Sequence, residues 1–569
     1  MSQAFEGSAE ASSPPVSSDS LNLEADVLVI GGGPAGTWAA WSAAAQGAKV
    51  VLADKGYCGT SGATAPSGVG VWYVPPDPEL REEARASRET MGGHLADRRW
   101  MDRVLDKTYE NVGKLADWGY PFPTDDEGQP ARRSLQGPEY MRLMRKKVRA
   151  AGVRILDHSP ALELLADADG VAGAAGVSRQ TGQRWLVKAQ AVVIATGGCA
   201  FLSKALGCNV LTGDGNLLAA EVGAELSGME FSNAYGLAPA FASVTKSAFY
   251  RWATFYYEDG TVIEGAGSAR GRSVIARTLL TQPVYAILDQ APEAIRASLR
   301  ASQPNFFLPF DRVGIDPLTQ RFPVTLRLEG TVRGTGGIRI ANDECGTSVP
   351  GLYAAGDAAT RELICGGFTG GGSHNAAWAI SSGTWAGQGA AAHARKLGAN
   401  ARQRNPLGTG RATLRPAVSS NATSLQDADA IVRGVQAEVF PYDRNLFRTE
   451  AGLSDSLGRL DSLWQDVQAR PAQFARTIIR SREAAAMVAT ARFMYRTAQF
   501  RPETRGMHKR QDFPALDPAQ QRRLVTSGLD EIQVRAEGAE YESRERPTVT
   551  PPSRGAVNQG VEGAASAAE

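Results

Sequence analysis

A glycine-rich turn near the start of the chain has the residue types and spacing that hold a phosphate group. An apolar strand pattern from Asp26 to Ile30 leads directly into GGGPAG, Gly31 to Gly36, and an apolar helix pattern follows. Gly31 permits a tight turn, Gly33 lets the backbone approach a pyrophosphate, and Gly36 lets the helix pack closely on the strand. The phosphates would lie at the helix N-terminus, where free N–H groups and the helix dipole favour anions.

An acidic residue follows the glycine-rich turn at the sequence spacing that is typical of a ribose-binding carboxylate. A second strand pattern from Lys49 to Ala53 ends in Asp54, 18 residues after Gly36. A carboxylate there can accept hydrogen bonds from ribose hydroxyls. The strand, turn, helix and strand together predict a dinucleotide site, and a tight turn without a ligand is the alternative.

Three later segments have patterns that extend such a site. Ala191 to Gly198 is an apolar strand pattern that ends in a small-residue turn, and Thr212 to Gly215 opens a helix. Val349 to Asp357 is another strand pattern whose final acid can hydrogen-bond a polyol. The glycines from Gly366 to Gly372 then open a long helix at Ser373, and its N-terminus can stabilise negative charge.

The elements that position these residues indicate an α/β body followed by helices. Apolar strand patterns alternate with glycine-marked helix patterns up to about residue 398, which is typical of α/β proteins. After residue 424, helical spacing predicts the core of a bundle. The residues on its first apolar face are Leu457, Leu460, Leu463, Trp464 and Val467.

Composition excludes several classes of protein. The 569 residues carry a net charge of +1, so charge gives no reason to expect binding to nucleic acid or an anionic membrane. The uncharged run from Val27 to Ala48 is broken by its glycines and lacks a basic flank, so it predicts neither a signal peptide nor membrane insertion. Five scattered cysteines without a C-x-x-C pair, and five histidines, predict no disulfide framework, no metal site and no iron–sulfur cluster in this chain. We expect a cytoplasmic protein.

Five ordered motifs carry a resemblance to a known family. They are GGGPAG at 31–36, ATGG at 195–198, TGDG at 212–215 with MEF at 229–231, VPGLYAAGD at 349–357, and RGMHKRQDFP at 505–514. Together they resemble the FAD-dependent flavoprotein superfamily of succinate dehydrogenase, fumarate reductase, L-aspartate oxidase and adenylylsulfate reductase. The resemblance spans roughly residues 24–400 and continues to about residue 520.

The resemblance implies a Rossmann-like FAD-binding domain with an inserted α+β capping domain and a C-terminal helical domain. The expected boundaries are disordered tails at 1–22 and 537–569, an FAD-binding domain at 24–235 and 341–400, a capping domain at 236–340, a linker at 401–424 and a helical domain at 425–536. The linker is rich in Gly, Pro, Ser and Thr, and we expect its arginines, among them Arg404, to be solvated.

The expected cofactor is non-covalent FAD. Relatives that link FAD covalently use a His in a Ser-His-Thr segment, whereas the matching segment here, Thr60 to Thr64, has Gly62 at that position. This pattern resembles the adenylylsulfate reductase branch. The resemblance places the following residues around FAD: Gly31, Gly33, Pro34, Ala35, Gly36, Asp54, Lys55, Thr60, Ser61, Gly62, Ser67, Ala161, Ala195, Thr196, Gly197, Asp214, Gly356, Asp357 and Ser373.

Departures from the family pattern argue against succinate or fumarate as substrate. The His-Pro-Thr signature after MEF is replaced by a segment that begins Ser232-Asn233, a substrate His becomes Arg333, and a second substrate arginine falls near Phe368. The resemblance therefore implies transfer of a hydride or electron pair between flavin N5 and another anionic small molecule.

The expected catalytic residues are Arg270, Arg272, Arg333 and His374. The segment Gly265 to Arg272 loosely matches a family segment whose arginine transfers protons, and an arginine also clamps anions without special activation. An interdomain ion pair is the alternative for the arginines, and a packed core residue is the alternative for His374. We expect His508 to brace the interface with the FAD-binding domain.

Two other functions stay open at this point. The chain could be an electron-transfer subunit that depends on a ferredoxin-like iron–sulfur partner, as in the adenylylsulfate reductase branch. It could also hold FAD in a degenerate site. The sequence leaves a homo-oligomer open as well.

Overall fold

The computed structural model describes residues 20–124, 128–245, 247–268, 271–369, 371–398, 404–414, 428–469 and 475–538. Arg270, most of both expected tails and residues 415–424 of the expected linker lie outside the described residues.

The strands, in chain order, are β1 Leu21–Ile30, β2 Val50–Ala53, β3 Gly68–Gly70, β4 Ser134–Gln136, β5 Arg154–Leu156, β6 Ala161–Asp167, β7 Gly170–Val177, β8 Arg184–Ile194, β9 Leu226–Ser227, β10 Ala234–Pro239, β11 Thr254–Tyr256, β12 Val284–Ile287, β13 Phe322–Gly330, β14 Gly337–Ile338, β15 Leu352–Ala354, β16 Leu407–Gly408, β17 Leu524–Ser527 and β18 Gln533–Ala536. The α-helices are α1 Pro34–Ala45, α2 Pro78–Met91, α3 Arg98–Asp117, α4 Gly137–Ala150, α5 Asp214–Glu221, α6 Arg272–Leu279, α7 Glu293–Ser302, α8 Pro304–Val313, α9 Glu362–Cys365, α10 Gly371–Leu397, α11 Ala428–Val439, α12 Tyr442–Asn445, α13 Glu450–Gln468 and α14 Ala475–Phe500.

An eight-stranded sheet forms the centre of the molecule. Its order is β16-β6-β7-β8-β1-β2-β5, and β15 also pairs with β8. Strands β15, β8, β1, β2 and β5 run parallel, so their carboxyl ends meet at one edge. In the register, Ile30 of β1 lies opposite Ala53 of β2 and Ile194 of β8. The continuous apolar runs of these strands are buried on both faces, as parallel strands require.

Helices α1 and α10 pack on this sheet with almost no gap between their backbones. A Cβ at Gly387 of α10 would lie 2.2 Å from the carbonyl oxygen of Ala39 on α1, and one at Gly383 would lie 2.4 Å from that of Ala35. Glycine is therefore required along this line of contact. The close packing fixes α10 against α1, and the first turns of α10 extend beyond the start of α1 because Gly383, not the first residue of α10, lies opposite Ala35.

A second sheet covers this edge. Strands β10, β13, β12 and β11 pair antiparallel in that order, with α6, α7 and α8 in the same stretch of chain. Its core is aromatic, with Phe306, Phe310 and Phe322 buried together. The expected fold class is confirmed: a Rossmann-like α/β body, an inserted α+β segment and C-terminal helices. The individual domain boundaries stay predictions.

The C-terminal part is helical but also contributes to a sheet. Leu457, Leu460, Trp464 and Val467 of α13 are buried against α14, as the helical spacing predicts. The chain then forms β17 and β18, which extend β9 and β14 into a four-stranded sheet. This pairing ties the end of the chain to the α/β body. None of the described helices is both long enough and apolar enough to cross a membrane.

The prediction of a solvated Arg404 is wrong. Its side chain is only 7% exposed and forms an ion pair with Asp167, and it also donates to the carbonyl oxygens of Gly170 and Val171. Strand β16, three residues later, pairs with β6. Composition indicates a linker here, but a carboxylate from a distant strand holds this part of it against the sheet.

A buried charge cluster joins the C-terminal helices to the body. Arg501 lies 2.8 Å from Glu230 and 2.9 Å from Glu503, and all three side chains are fully buried. Arg448 donates to Nδ1 of His508 at 2.8 Å, so Nε2 of this ring donates to the carbonyl oxygen of Arg501 at 3.0 Å. Burial lowers the pKa of His508 well below its ordinary value, so the ring is neutral. His508 therefore lies in the interface that we expected it to brace.

Glu362 in this cluster makes stability depend on pH. Burial, followed by the nearby Glu230 carboxylate, raises the pKa of Glu362 to about 8. Its Oε2 accepts a hydrogen bond from Ser227 at 2.7 Å. Because the folded-state pKa lies above the unfolded value, the stabilisation is present at acidic pH and is lost as pH rises towards about 8.

We predict that Glu362→Gln removes much of this loss, because glutamine keeps the shape and cannot ionise. Between pH 5.5 and 9, the thermal midpoint of the wild type should fall by several degrees more than that of the variant. Glu139→Gln, at a half-exposed surface carboxyl, is the matched control and should follow the wild type. Parallel curves for the wild type and Glu362→Gln would contradict the prediction.

Candidate functional site

A cavity of about 870 Å³ lies between the sheet edge and the second sheet. This volume falls in the range of roughly 300–1,000 Å³ that is typical of cofactor and ligand sites. One side of the wall comes from the glycine-rich turn and the strand ends. The residues on the other side are Leu237, Thr245, Ser247, Ala248, Tyr250, Arg251, Ser268, Arg272, Val332 and Arg333.

The glycine-rich turn forms the floor of this cavity. A Cβ at Gly31 would lie 2.2 Å from the carbonyl oxygen of Ala195, and one at Gly36 would lie 1.8 Å from that of Gly31. A Cβ at Gly33, by contrast, would have no atom within 4 Å. No side chain caps the N-terminus of α1. Its first N–H groups are thus available to an anion in the cavity.

Asp54 is held firmly at the end of β2. Its Oδ2 accepts a hydrogen bond from the backbone N–H of Gly32 at 2.5 Å. Its Oδ1 accepts from the N–H of Gly56 at 2.7 Å and from the hydroxyl of Ser61 at 2.8 Å. A carboxylate can accept about four hydrogen bonds, so room remains for about one ligand hydroxyl. Ser61 contributes chiefly by orienting this acid.

Lys55 and Asp214 form an ion cluster on the cavity wall. The Lys55 ammonium lies 2.9 Å from Asp214 and 2.8 Å from Glu483 of α14, and it donates to Thr212 at 2.7 Å. Burial disfavours this ammonium charge, but the two carboxylates outweigh burial and raise the pKa of Lys55. The charge is therefore balanced within the protein.

Asp357 at the end of β15 is paired with an arginine that the sequence analysis missed. Arg361 lies 2.5 Å from Asp357 and is 1% exposed. It also donates to the backbone carbonyl oxygens of Thr331 and Val332, each at 3.2 Å, and of Gly334. One buried guanidinium thus fixes the turn that carries Arg333.

Two arginines of the opposite wall face a single glutamate. Arg333 lies 3.2 Å from Glu329, which is fully buried and also accepts from Thr245 at 2.8 Å. Arg272 donates to the carbonyl oxygens of Ser268 at 2.6 Å and Tyr235 at 3.3 Å. Burial, and then the nearby Arg333 charge, lower the pKa of Arg272 to about 10, while Glu329 opposes this. Arg272 still carries its charge near neutral pH.

The structure brings most of the predicted site residues together. Those that line the cavity are Gly31, Gly33, Pro34, Ala35, Asp54, Lys55, Ser61, Gly62, Ser67, Ala161, Ala195, Thr196, Gly197, Asp214, Gly356, Asp357, Arg272 and Arg333. Gly36, Thr60, Ser373 and His374 are not among the lining residues, and Arg270 lies outside the described residues.

The residues outside the lining have other contacts. Thr60 is exposed, and its hydroxyl donates to the carbonyl oxygen of Tyr57 at 3.5 Å. His374 packs with its ring centre 4.4 Å from that of Trp72, and its Nδ1 lies 3.1 Å from the Ser373 hydroxyl. The next residue, Asn375, does line the cavity. Its Oδ1 is buried and has no hydrogen-bond partner among the described residues.

The residues present fit the expected FAD. Gly33, Gly62 and Gly372 all line the cavity, and a Cβ at each would point into open space within it. Asn375 Oδ1 is an acceptor that a bound ligand can satisfy, and buried acceptors are rarely left unpaired. An uncapped helix N-terminus and an oriented acid at the end of β2 suit the pyrophosphate and ribose of a dinucleotide.

We predict that Gly33→Ala lowers FAD affinity by at least about tenfold, or about 1.4 kcal/mol, because its methyl group occupies the space for the pyrophosphate. Gly33 has φ −74°, which alanine adopts without strain, so the apoprotein should melt as the wild type does. Gly458→Ala on α13, also with no atom within 4 Å, is the control and should bind FAD normally. Titration of the apoproteins with FAD measures this, and unchanged affinity in Gly33→Ala would place the phosphates elsewhere.

Comparison with known proteins identifies two family segments and full-length relatives. The profile of the FAD binding domain family matches residues 26–235, and the profile of the fumarate reductase flavoprotein C-terminal family matches residues 438–548. One subunit of the fumarate reductase (CoM/CoB) from Methanothermobacter marburgensis is 24% identical over 565 residues, which cover 90% of this chain and 98% of that protein. An L-aspartate oxidase from Streptomyces coelicolor is 26% identical over 563 residues, which cover 89% and 92%.

Solved structures share the fold over nearly the whole chain. The quinol fumarate reductase of E. coli aligns with a TM-score of 0.74 at 19% identity, covering 94% of this chain and 99% of that chain. Adenylylsulfate reductase from Archaeoglobus fulgidus aligns with a TM-score of 0.71 at 19% identity, covering 91% and 96%. With both family profiles in their expected order, the findings identify the chain as an FAD-dependent oxidoreductase of the succinate dehydrogenase and fumarate reductase flavoprotein type.

Proposed function

We propose that this protein transfers a hydride or an electron pair between flavin N5 of FAD and an anionic small molecule that is neither succinate nor fumarate. The observation that carries the proposal is the presence of Arg272 and Arg333 in the same cavity as the glycine-rich turn. FAD, when bound, supplies the hydride or electron-pair chemistry. The chain supplies binding, orientation and charge.

The balance of charge on the wall supports an anionic substrate. Two guanidinium groups, on Arg272 and Arg333, face one carboxylate, on Glu329. Arg272 is partly buried, and its two described hydrogen bonds go to neutral carbonyl oxygens. A cation that is partly withdrawn from water is stabilised by a negative group beside it, so an anion in the cavity would complete this site.

The same arginines can orient the substrate and move a proton. Arg333 is fixed by Glu329, and its turn is fixed by Arg361, so a bound anion meets guanidinium groups of defined position. Arg272, with its pKa lowered to about 10, releases a proton more readily than an ordinary arginine does. Leu237 and Val332 line the wall nearby and reduce access of water.

The positions that carry dicarboxylate-binding groups in the family pattern support a different substrate. The replacing segment, Ser232 to Gly236, is buried and does not line the cavity, and its Asn233 donates to the carbonyl oxygens of Asn445 and Met507. Phe368 does not line the cavity either. Arg333 is thus the one such position that contacts the cavity.

A second candidate function is an electron-transfer subunit that works with a ferredoxin-like iron–sulfur partner. The relative from Methanothermobacter marburgensis is named as one subunit of its enzyme, which favours this candidate. The two functions differ in a simple experiment. The purified holoprotein alone should lose its flavin absorbance anaerobically with its substrate if it is self-sufficient, and it should stay oxidised until the partner is added if it is not.

We predict that FAD is released completely on acid denaturation. Gly62, at the position of the covalent His, has no side chain to form the bond. After precipitation with trichloroacetic acid, the flavin absorbance should lie entirely in the supernatant. Flavin that stays with the precipitated protein would show a covalent link through another residue.

We predict that Arg272→Ala and Arg333→Ala each lower kcat/KM by about 10²- to 10³-fold, because each removes a charged donor from the reacting anion. The substrate is the acid that bleaches the flavin in an anaerobic panel of organic acids. Binding of this anion should also weaken as pH rises towards 10, where Arg272 loses its charge.

Arg142→Ala, whose side chain is 76% exposed on the surface, is the matched control and should retain full activity. FAD content, measured by absorbance, shows whether each variant keeps its cofactor. Wild-type turnover in the double variant, with FAD bound, would overturn the assignment of both arginines.

A further inference from the structure

The cavity is lined by one further arginine that the proposed chemistry has not used. Most of the lining residues are buried or half-buried, and the exposed ones are Gly68, Ala248, Arg251 and Gly372. We call these four residues the rim of the cavity. Three of them have no polar side chain, so Arg251 supplies the charge of the rim as far as the structure describes it.

The rim is formed by both sides of the cavity. Gly68 begins β3 and Gly372 lies in the first turn of α10, on the side of the glycine-rich turn. Ala248 and Arg251 lie between β10 and β11, on the opposite side. Small residues at three of the four positions leave room for a ligand to pass, and this passage brings the ligand close to the Arg251 guanidinium.

The protein leaves the charge of Arg251 without a carboxylate. Its side chain has no ion pair among the described contacts. The guanidinium carbon lies over the ring of Trp252, 5.6 Å from the ring centre, and this ring stacks on Phe249 at 6.2 Å between centres. A contact with an aromatic face holds the guanidinium in place without using its N–H donors. The charge and the donors therefore stay available to an anion.

Arg251 differs from the two inner arginines in exposure and in neighbours. Arg251 is exposed, whereas the side chain of Arg333 is 18% exposed and Arg272 is partly buried. The charges that shift the pKa of Arg272 are those of Arg333 and Glu329. The inner pair thus forms one site around Glu329, and Arg251 lies apart from it towards solvent.

We propose that Arg251 attracts the anionic substrate to the opening of the cavity and sets the rate at which it reaches Arg272 and Arg333. An exposed charge acts over about 8–10 Å at ordinary ionic strength, and it changes association rates more than dissociation rates. The same charge repels cations, so Arg251 also selects the sign of the ligand. This inference rests on the proposed function, because the substrate must be an anion.

The first test measures entry of small quenchers without turnover. Iodide, an anion, and acrylamide, a neutral molecule, quench the fluorescence of FAD bound to the holoprotein. Arg251→Ala should lower the rate constant of iodide quenching about threefold at low salt, the factor that Coulomb's law gives for unit charges roughly 6 Å apart in water. Acrylamide quenching should stay unchanged. In about 1 M potassium chloride, where the screening length is about 3 Å, the iodide difference should vanish.

Two further variants serve as controls. Arg251→Lys keeps the charge and should restore iodide quenching to the wild-type rate. Arg312→Ala removes an exposed arginine of α8 that also has no described ion pair and does not line the cavity, so it should match the wild type. Each variant should keep the thermal midpoint and FAD content of the wild type, because the side chain of Arg251 contacts only Trp252 among the described interactions.

The second test uses the organic acid that bleaches the flavin in the anaerobic panel. In stopped-flow mixing with the oxidised holoprotein, Arg251→Ala should lower the association rate constant about threefold at low salt. The dissociation rate constant and kcat should stay at the wild-type values. Faster dissociation or a lower kcat would overturn the proposal, because Arg251 would then hold the bound substrate.

The remaining outcomes separate this inference from the proposed function. Equal iodide quenching in the wild type and Arg251→Ala, or an equal fall with acrylamide, would overturn the role of Arg251. Arg272→Ala and Arg333→Ala would still test the inner site. Iodide quenching that depends on Arg251, with no acid that bleaches the flavin, would support this inference and overturn the proposed function.

Discussion

The backbone contact between Gly31 and Ala195 is the constraint on which the cofactor cavity depends. A Cβ at Gly31 would lie 2.2 Å from the Ala195 carbonyl oxygen, and one at Gly36 would lie 1.8 Å from that of Gly31. Without side chains at these points, the ends of β1 and β8 and the start of α1 converge. Any larger residue would move the helix off the sheet and its free N–H groups away from the phosphates. The glycine excess of the sequence, 62 residues, thus has a structural reason at this edge.

Arg361 couples the two walls that this convergence creates. It pairs with Asp357 at the end of β15 and donates to the carbonyl oxygens of Thr331 and Val332, beside Arg333. Asp357 and the turn that carries Arg333 therefore share one buried positioning group. A shift of the second sheet relative to the first would break these hydrogen bonds, so Arg361 resists relative movement of the walls.

Sequence patterns predicted the parts of the site that are encoded locally. The glycine-rich turn, Asp54 and Asp357 each follow a strand within a few residues, so spacing alone indicates their place. Lys55 with Glu483, and Arg404 with Asp167, are pairs between distant parts of the chain, and no local pattern reports them. The start of α10 shows a further limit. Neighbouring residues of a helix point in different directions, so Asn375 lines the cavity while His374 packs on Trp72.

The cavity wall with Lys55 has balanced charges, whereas the wall with Arg272 and Arg333 has an excess of positive charge. This difference determines which ligand each wall can hold. On the cofactor side, Lys55 is balanced by Asp214 and Glu483, so a dinucleotide is held chiefly by backbone N–H groups and oriented acids. On the other side, Arg272 and Arg333 share only one close carboxylate, Glu329, among the described contacts. A negative ligand gains most where the protein leaves positive charge in a site with little water. The proposed anionic substrate would therefore bind at the wall opposite the glycine-rich turn.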